Sequence, residues 1–249
     1  MAQPRVVAIV QARMGSERLP GKILAALDGQ PVIWHVMQRL RRSRTLTDAV
    51  VATSTNVVDD RLVDYCVANA IRVVRGPEAD VLSRFALALA ETRADIVVRI
   101  TADCPLVDPT VIDALVERVV EAGGDIDYAS NTVERSFPRG MDAEVFTSTA
   151  FMRADALSSD LAWREHVTPA FYRLPSEFRA WQLVRGGREA TSSWRLTVDT
   201  PEDLEALKAL ASLFPGRLVT AKLDEIEDAV RAHPEVLSIN ATIAQKTVR

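Results

Sequence analysis

Cysteine is scarce: Cys66 and Cys104 are the only two in 249 residues. They form neither a C-x-x-C pair nor a disulfide framework. One bridge between them stays open, but a reduced, cytoplasmic setting is the simpler reading. Long apolar runs are also missing. Five apolar residues, Val6–Val10, precede Gln11, too few for the core of a signal peptide, and no run approaches the length of a membrane span. A soluble chain without a membrane partner is expected. Basic excess is absent, with 30 Lys and Arg against 34 Asp and Glu and a net charge of −4. Non-specific nucleic-acid binders carry the opposite balance, so no nucleic-acid partner is expected. Internal repeats and low-complexity linkers are lacking too.

What is present is enough hydrophobic residue, 48%, to build a core, in a length suited to one α/β domain or a domain with a small elaboration. Apolar runs predict strands at Arg5–Gln11, Asp48–Thr53, Ile71–Val74 and Ile96–Thr101. Amphipathic stretches predict helices at Val32–Arg42, Asp59–Asn69 and Val81–Thr92, the last with Val81, Phe85 and Leu89 on one face. Asp108 and Pro109 open a further helix to about Glu121, ended by Gly123-Gly124. Strand–helix alternation of this kind gives right-handed β-α-β units and a three-layer, Rossmann-like, mostly parallel sheet between helices. From about 125 to 194 the pattern changes. Short strands are expected at Tyr128–Asn131, Glu144–Phe146 and Trp181–Val184, with helices at Thr149–Leu157 and Leu161–Tyr172. This reads as an elaboration inserted before a closing strand of the same sheet, Arg195–Val198. Thr200-Pro201-Glu202-Asp203 starts a helix to about Leu213, and another follows at Leu223–Ala232.

The segment QARMGSERLPGK, residues 11–22, leaves the first strand at the sheet edge where such folds bind ligands. It combines Gly15 and Gly21 with Arg13, Arg18 and Lys22. Glycine permits close backbone approach, and exposed N–H groups with cationic side chains favour anions. A solvated basic loop is the plain alternative; coincidence of glycines, cations and position favours a polyphosphate cradle. The segment is not a Walker A loop, because five residues separate the glycines and Ile23 follows Lys22. Nor is it a G-x-G-x-x-G fingerprint.

Two aspartates suit the same edge. Asp103, in RITADCPLVDP, lies just past the fourth strand, where Pro105 stops extension. Asp199, in RLTVDTPEDLE, precedes a helix; alone it reads as a turn residue. Two such carboxylates can hold one hard cation, with ligand oxygens and water completing its shell.

The opening resembles that of the cytidylyltransferases that activate acidic sugars: the acylneuraminate and 3-deoxy-manno-octulosonate enzymes and the spore-coat polysaccharide proteins. Ala12, Arg13, Ser16, Arg18, Leu19, Pro20 and Lys22 match seven of eleven positions. Asp103-Cys104-Pro105-Leu106 and Asp199-Thr200-Pro201-Glu202-Asp203 match the family's magnesium-ligand segments. The resemblance runs from Val6 to about Leu210. Segment 76–85 resembles the family stretch that reaches base and phosphates, although Asp80 is equally a helix cap. Residues 138–146 and REHVTP (Arg164–Pro169) are also family-like. The chain lacks the octulosonate branch's H-x-S-G-T-D-R segment, which favours the spore-coat branch.

The resemblance implies a Mg²⁺-dependent enzyme moving CMP from CTP to a sugar acid or related acceptor, with pyrophosphate leaving, for cell-surface polysaccharide synthesis. Arg18, Lys22 and Asp103 are the expected catalytic residues, and Asp103 and Asp199 the metal ligands. Ala12, Arg13, Gly15, Ser16, Arg18, Lys22, Thr53, Ser54, Gly76 and Asp80 are expected around the nucleotide, with Asp142, Glu144 and His166 around the acceptor. A homodimer through the inserted segment is expected. Phe137, Phe146, Phe151, Trp163, Phe171 and Tyr172 supply apolar material there, for an interface or equally for a local core. Two alternatives stand beside this. One is a glycosyltransferase using Asp125-Ile126-Asp127 as a D-x-D metal motif; the other is a nucleotide-binding protein without catalysis.

Overall fold

The computed structural model describes residues 3–186 and 191–244. The first apolar run forms β1 (Val6–Gln11), whose two faces are both buried. Val6, Ala8 and Val10 enter one hydrophobic core, and Val7 and Ile9 the other. This is why the run is continuous rather than alternating. Next come a small hairpin, β2 (Ala26–Leu27) and β3 (Gln30–Pro31), then α1 (Val32–Leu40), β4 (Asp48–Ser54), α2 (Asp60–Ala68), β5 (Arg72–Gly76), α3 (Val81–Thr92), β6 (Ile96–Thr101) and α4 (Pro109–Glu121). The hairpin was not expected from sequence. Its turn is Asp28-Gly29, both residues at positive φ, a two-residue loop that matches strand twist.

The inserted region contributes β7 (Tyr128–Ser130), β8 (Glu144–Thr147), α5 (Ser148–Leu157), α6 (Leu161–His166), α7 (Pro169–Arg173) and β9 (Ala180–Gln182). The chain continues through α8 (Pro201–Ser212), α9 (Leu223–Ala232) and α10 (Glu235–Ser238). The sheet order is β5-β4-β1-β6-β8-β7-β9. Strands β5, β4, β1 and β6 are mutually parallel. Strand β8 is antiparallel to β6 and β7. Helices α1, α4, α8 and α9 contribute to the core on one face and α3, α5 and α7 to the core on the other, giving the three-layer, Rossmann-like architecture.

Two expected elements differ. Residues 195–198 form no strand; they make one isolated bridge, Arg195 to Arg139. Both sides of β6 are already paired, by β1 and β8, so no position remains for a closing strand there. Leu196 N donates instead to Arg139 O, and Val198 N to Asp103 O, each at 2.8 Å. The helix expected over Leu161–Tyr172 breaks at Val167, which sits at φ 68, and restarts at Pro169, a first-turn position that tolerates proline's missing N–H.

Candidate functional site

The loop after β1 is tied down from below. Ala12 N extends the ladder to Ala52 O at 3.1 Å, and Met14 O accepts from Ser16 N and Gly21 N at 2.9 and 3.0 Å. Gly21, at φ 73, is the glycine whose backbone conformation the turn requires. Met14 N donates to the buried Asp59 carboxylate at 2.6 Å. That carboxylate also accepts from the Ser54 amide at 3.1 Å and from the Ser54 hydroxyl.

Lys22 then enters a 3₁₀ turn with its ammonium between the two aspartates. Its Nζ lies 2.6 Å from Asp103 Oδ2 and 2.7 Å from Asp199 Oδ1. The other Asp199 oxygen meets Arg18 Nη2 at 3.0 Å and Arg195 Nη2 at 2.9 Å. Asp199 is fixed from behind by Asp203, whose fully buried carboxylate takes Arg195 through Nε and Nη2 at 2.7 and 2.8 Å. Asp203 also accepts from Asp199 N, Thr200 N and the Asn240 amide at 3.0, 3.0 and 2.9 Å. The Asp103 segment is stitched alongside, because Thr197 Oγ1 and Val198 N both donate to Asp103 O.

Electrostatics follow from these contacts. Burial pulls the Lys22 ammonium down, but Asp103 and Asp199 outweigh it and raise its pKa. Burial pushes Asp199 up, yet Lys22, Arg195 and Arg18 hold it down at about 2. Both groups are therefore charged at neutral pH. They border a cavity of about 340 Å³ lined also by Gln11, Ala12, Arg13, Ser16, Arg18, Thr101 and Asp103.

A second cavity, of about 410 Å³, brings together Asp142, Glu144 and His166 with Arg99, Tyr172 and Arg173. Thr101 lines both spaces. Arg99 spans between them: Nη1 pairs with Glu144, and Nη2 donates to Gln11 Oε1 at 3.0 Å.

Residues 7–235 match the cytidylyltransferase family model. The chain belongs to the cytidylyltransferase family. It is 33% identical to an uncharacterized protein of Methanocaldococcus jannaschii over 98% of both chains. It is 34% identical to the spore coat polysaccharide biosynthesis protein SpsF of Bacillus subtilis, over 82% of this chain and 85% of that one. A solved cytidylyltransferase of Leptospira borgpetersenii superposes with a TM-score of 0.90 at 31% identity, covering 97% of this chain and 100% of the other. A CMP:2-keto-3-deoxy-manno-octonic acid synthetase complexed with CTP shares the fold at a TM-score of 0.63 and 19% identity, over 84% of this chain and 99% of that one.

In this cytidylyltransferase the structure gathers Ala12, Arg13, Ser16, Arg18, Lys22, Asp103 and Asp199 on one cavity. Arg13 is half-exposed and reaches Glu78 at 3.5 Å. Gly15 sits nearby, where an added Cβ would lie 3.7 Å from the Glu78 carboxylate. Four others expected at the nucleotide, Thr53, Ser54, Gly76 and Asp80, do not line this cavity. Thr53 and Ser54 are buried at the end of β4, Ser54 as the anchor of Asp59. Gly76 packs so closely on α3 that a Cβ would meet Arg84 and Leu87 at 2.9 Å. Asp80 caps α3 through Ser83 N at 2.9 Å and takes Arg164 Nε at 2.8 Å.

Arg195, Asp203, Asp59, Arg99 and Gln11 were not singled out from sequence. Only Asp203 left a trace there, as the acidic third residue of the α8 capping box. The D-x-D sequence lies just before β7, at the opposite end of the sheet from the Lys22 cavity, since β7 and β6 run the same way. Asp127 is occupied there by Arg153 and Arg179 at 3.0 and 3.3 Å, and Asp125 pairs with Arg179 at 3.2 Å. That removes the feature on which the glycosyltransferase alternative rested.

The donor set fits a hard cation. Asp103 and Asp199 already share one positive centre, the Lys22 ammonium. Among the described residues no third His, Cys, Asp or Glu joins them in a metal cluster. Two carboxylates with ligand oxygens and water are the usual surroundings of Mg²⁺.

Proposed function

We propose that this cytidylyltransferase moves CMP from CTP to the hydroxyl of a sugar acid or related acceptor, releasing pyrophosphate. The convergence of Arg18, Lys22, Asp103 and Asp199 on one cavity carries this reading. The acceptor oxygen forms a bond to the α-phosphorus as the bond to the β-phosphate oxygen breaks. Such chemistry needs little covalent help from protein; positioning and charge stabilisation dominate. Arg13, Arg18 and Lys22 hold the β- and γ-phosphates and neutralise the leaving group. Lys22 leaves the carboxylates to do so. Asp103 and Asp199 are the residues that would hold Mg²⁺, which would supply charge neutralisation and lower the pKa of the acceptor hydroxyl. The second cavity, adjoining at Thr101, seats the acceptor. Cell-surface polysaccharide synthesis is the proposed use, in keeping with the name of the Bacillus relative.

Pyrophosphate release from CTP, Mg²⁺ and a panel of sugar acids tests the proposal. Lys22→Ala is expected to lose about a hundredfold or more in kcat, since one charge-assisted contact that tightens in the transition state contributes roughly 3 kcal/mol. Undiminished turnover in that variant removes the loop from the mechanism.

A further inference from the structure

The second cavity is lined by two acidic and two arginine side chains, but they are not equally free. Asp142 gives both oxygens to Arg135, at 2.7 and 3.1 Å. Glu144 is buried; Oε1 accepts from Tyr128 OH at 2.6 Å, and Oε2 pairs with Arg99. Both carboxylates are therefore neutralised by cations of the protein itself. Arg99 retains a buried Nε with no partner. Arg173, at the exposed end of α7, contacts the Tyr172 hydroxyl. Among the described residues it has no carboxylate partner. His166 faces the same space, and burial lowers its pKa despite Glu165 and Glu144, so it is neutral at pH 7. The uncommitted charge of the cavity is positive.

We infer that Arg173, with Arg99 behind it, is the specificity-determining residue of the acceptor cavity, and that it receives an anionic group of the acceptor alcohol. The inference rests on the CMP-transfer reading. A guanidinium suits carboxylate, phosphonate and phosphate alike, since each offers paired oxygens to its fork of donors. Asp142 and Glu144 then act behind the arginines and do not grip sugar hydroxyls themselves.

The experiment is steady-state pyrophosphate release at saturating CTP and Mg²⁺. Three acceptor arms are compared: sugar acids, phosphate- or phosphonate-bearing alcohols, and the neutral ester or reduced counterpart of each. One anionic arm is expected to turn over, with its neutral counterpart slower by tenfold or more; which arm does so identifies the group. Arg173→Gln is expected to raise the acceptor KM by about 10- to 100-fold, the range of one charged hydrogen bond, with the KM for CTP within twofold. Arg173→Lys recovers part of the loss. Because Arg173 is exposed, the variant is expected to melt with the wild type. An unchanged acceptor KM in Arg173→Gln, an equal rise in the KM for CTP, or a neutral acceptor used as well as its anionic counterpart overturns the inference. Absence of pyrophosphate in every arm with the wild type sinks the transfer reading itself, a failure visible before any variant is made.

Discussion

Asp199 accepts from three cations and depends on an anion, Asp203, that never meets the cavity. Its pKa near 2 lies below the ordinary 3.8 because Lys22, Arg195 and Arg18 outweigh burial. A carboxyl depressed on folding stabilises above its unfolded value and loses that contribution as pH falls through the folded one. Melting temperature is therefore expected to drop between about pH 4 and pH 2, more steeply than in Asp199→Asn. A matching slope in the variant would show that Asp199 contributes nothing to acid sensitivity. Asp203→Ala leaves Arg195 buried without its main partner and is expected to cost about 3–5 kcal/mol in denaturant unfolding. At this scale Lys22, Asp103 and Asp199 were legible because strand ends, turn residues and the family pattern marked them. The anchoring roles of Ser54 and Asp203 were not. Ser54 works through Asp59 and Met14, and Asp203 through Arg195, and such partners are set by tertiary contact rather than local spacing.

Among the elements, the crossing of residues 139–141 over 194–197 holds the approach to Asp199 in place. Gly140 lies at φ 98, and a Cβ there would sit 2.2 Å from Leu196 O. The neighbouring atoms are backbone and cannot swing aside. Gly140→Ala is expected to destabilise by about 3 kcal/mol or more and to lower activity along with stability, measured by unfolding and by pyrophosphate release; wild-type stability would contradict the crossing. The alternation Arg195-Leu196-Thr197-Val198 reads as a strand because its side chains do alternate. Nothing local reveals that both edges of β6 are occupied. The parallel strands and their helices were readable, since their apolar periodicity is contained within each element.

For the whole molecule, alternation of strand and helix exposed the fold class in the first half, where each crossover is short. The β8-β7-β9 side was less legible because its three strands are brief and paired residues of β7 and β9 lie 52 apart in sequence, as in Ala129–Trp181 and its neighbours Tyr128–Ala180 and Ser130–Gln182. The aromatics of that region settle one ambiguity. Phe137, Phe146, Phe151 and Phe171 are buried within the chain, and Trp163 and Tyr172 pack against the same core as the last three. They fill its interior, as the local-core reading expects. The far end of the chain also reaches the site, as Asn240 Nδ2 donates to Asp203 Oδ1 at 2.9 Å and to Arg195 O at 3.0 Å. Asn240→Ala is expected to lower stability by about 1–3 kcal/mol, the loss of buried hydrogen bonds to a charged group; a neutral result in thermal unfolding would detach Asn240 from the Asp203–Arg195 pair.

The ammonium wedged between Asp103 and Asp199 gives the protein its own counter-ion. Two neighbouring negative groups that relied on a dissolved metal would repel one another when it was stripped away, and the surrounding segments would loosen. Here the repulsion is already cancelled by a side chain that cannot diffuse off. Treatment with a chelator such as EDTA is accordingly expected to halt turnover while leaving the thermal transition where it was.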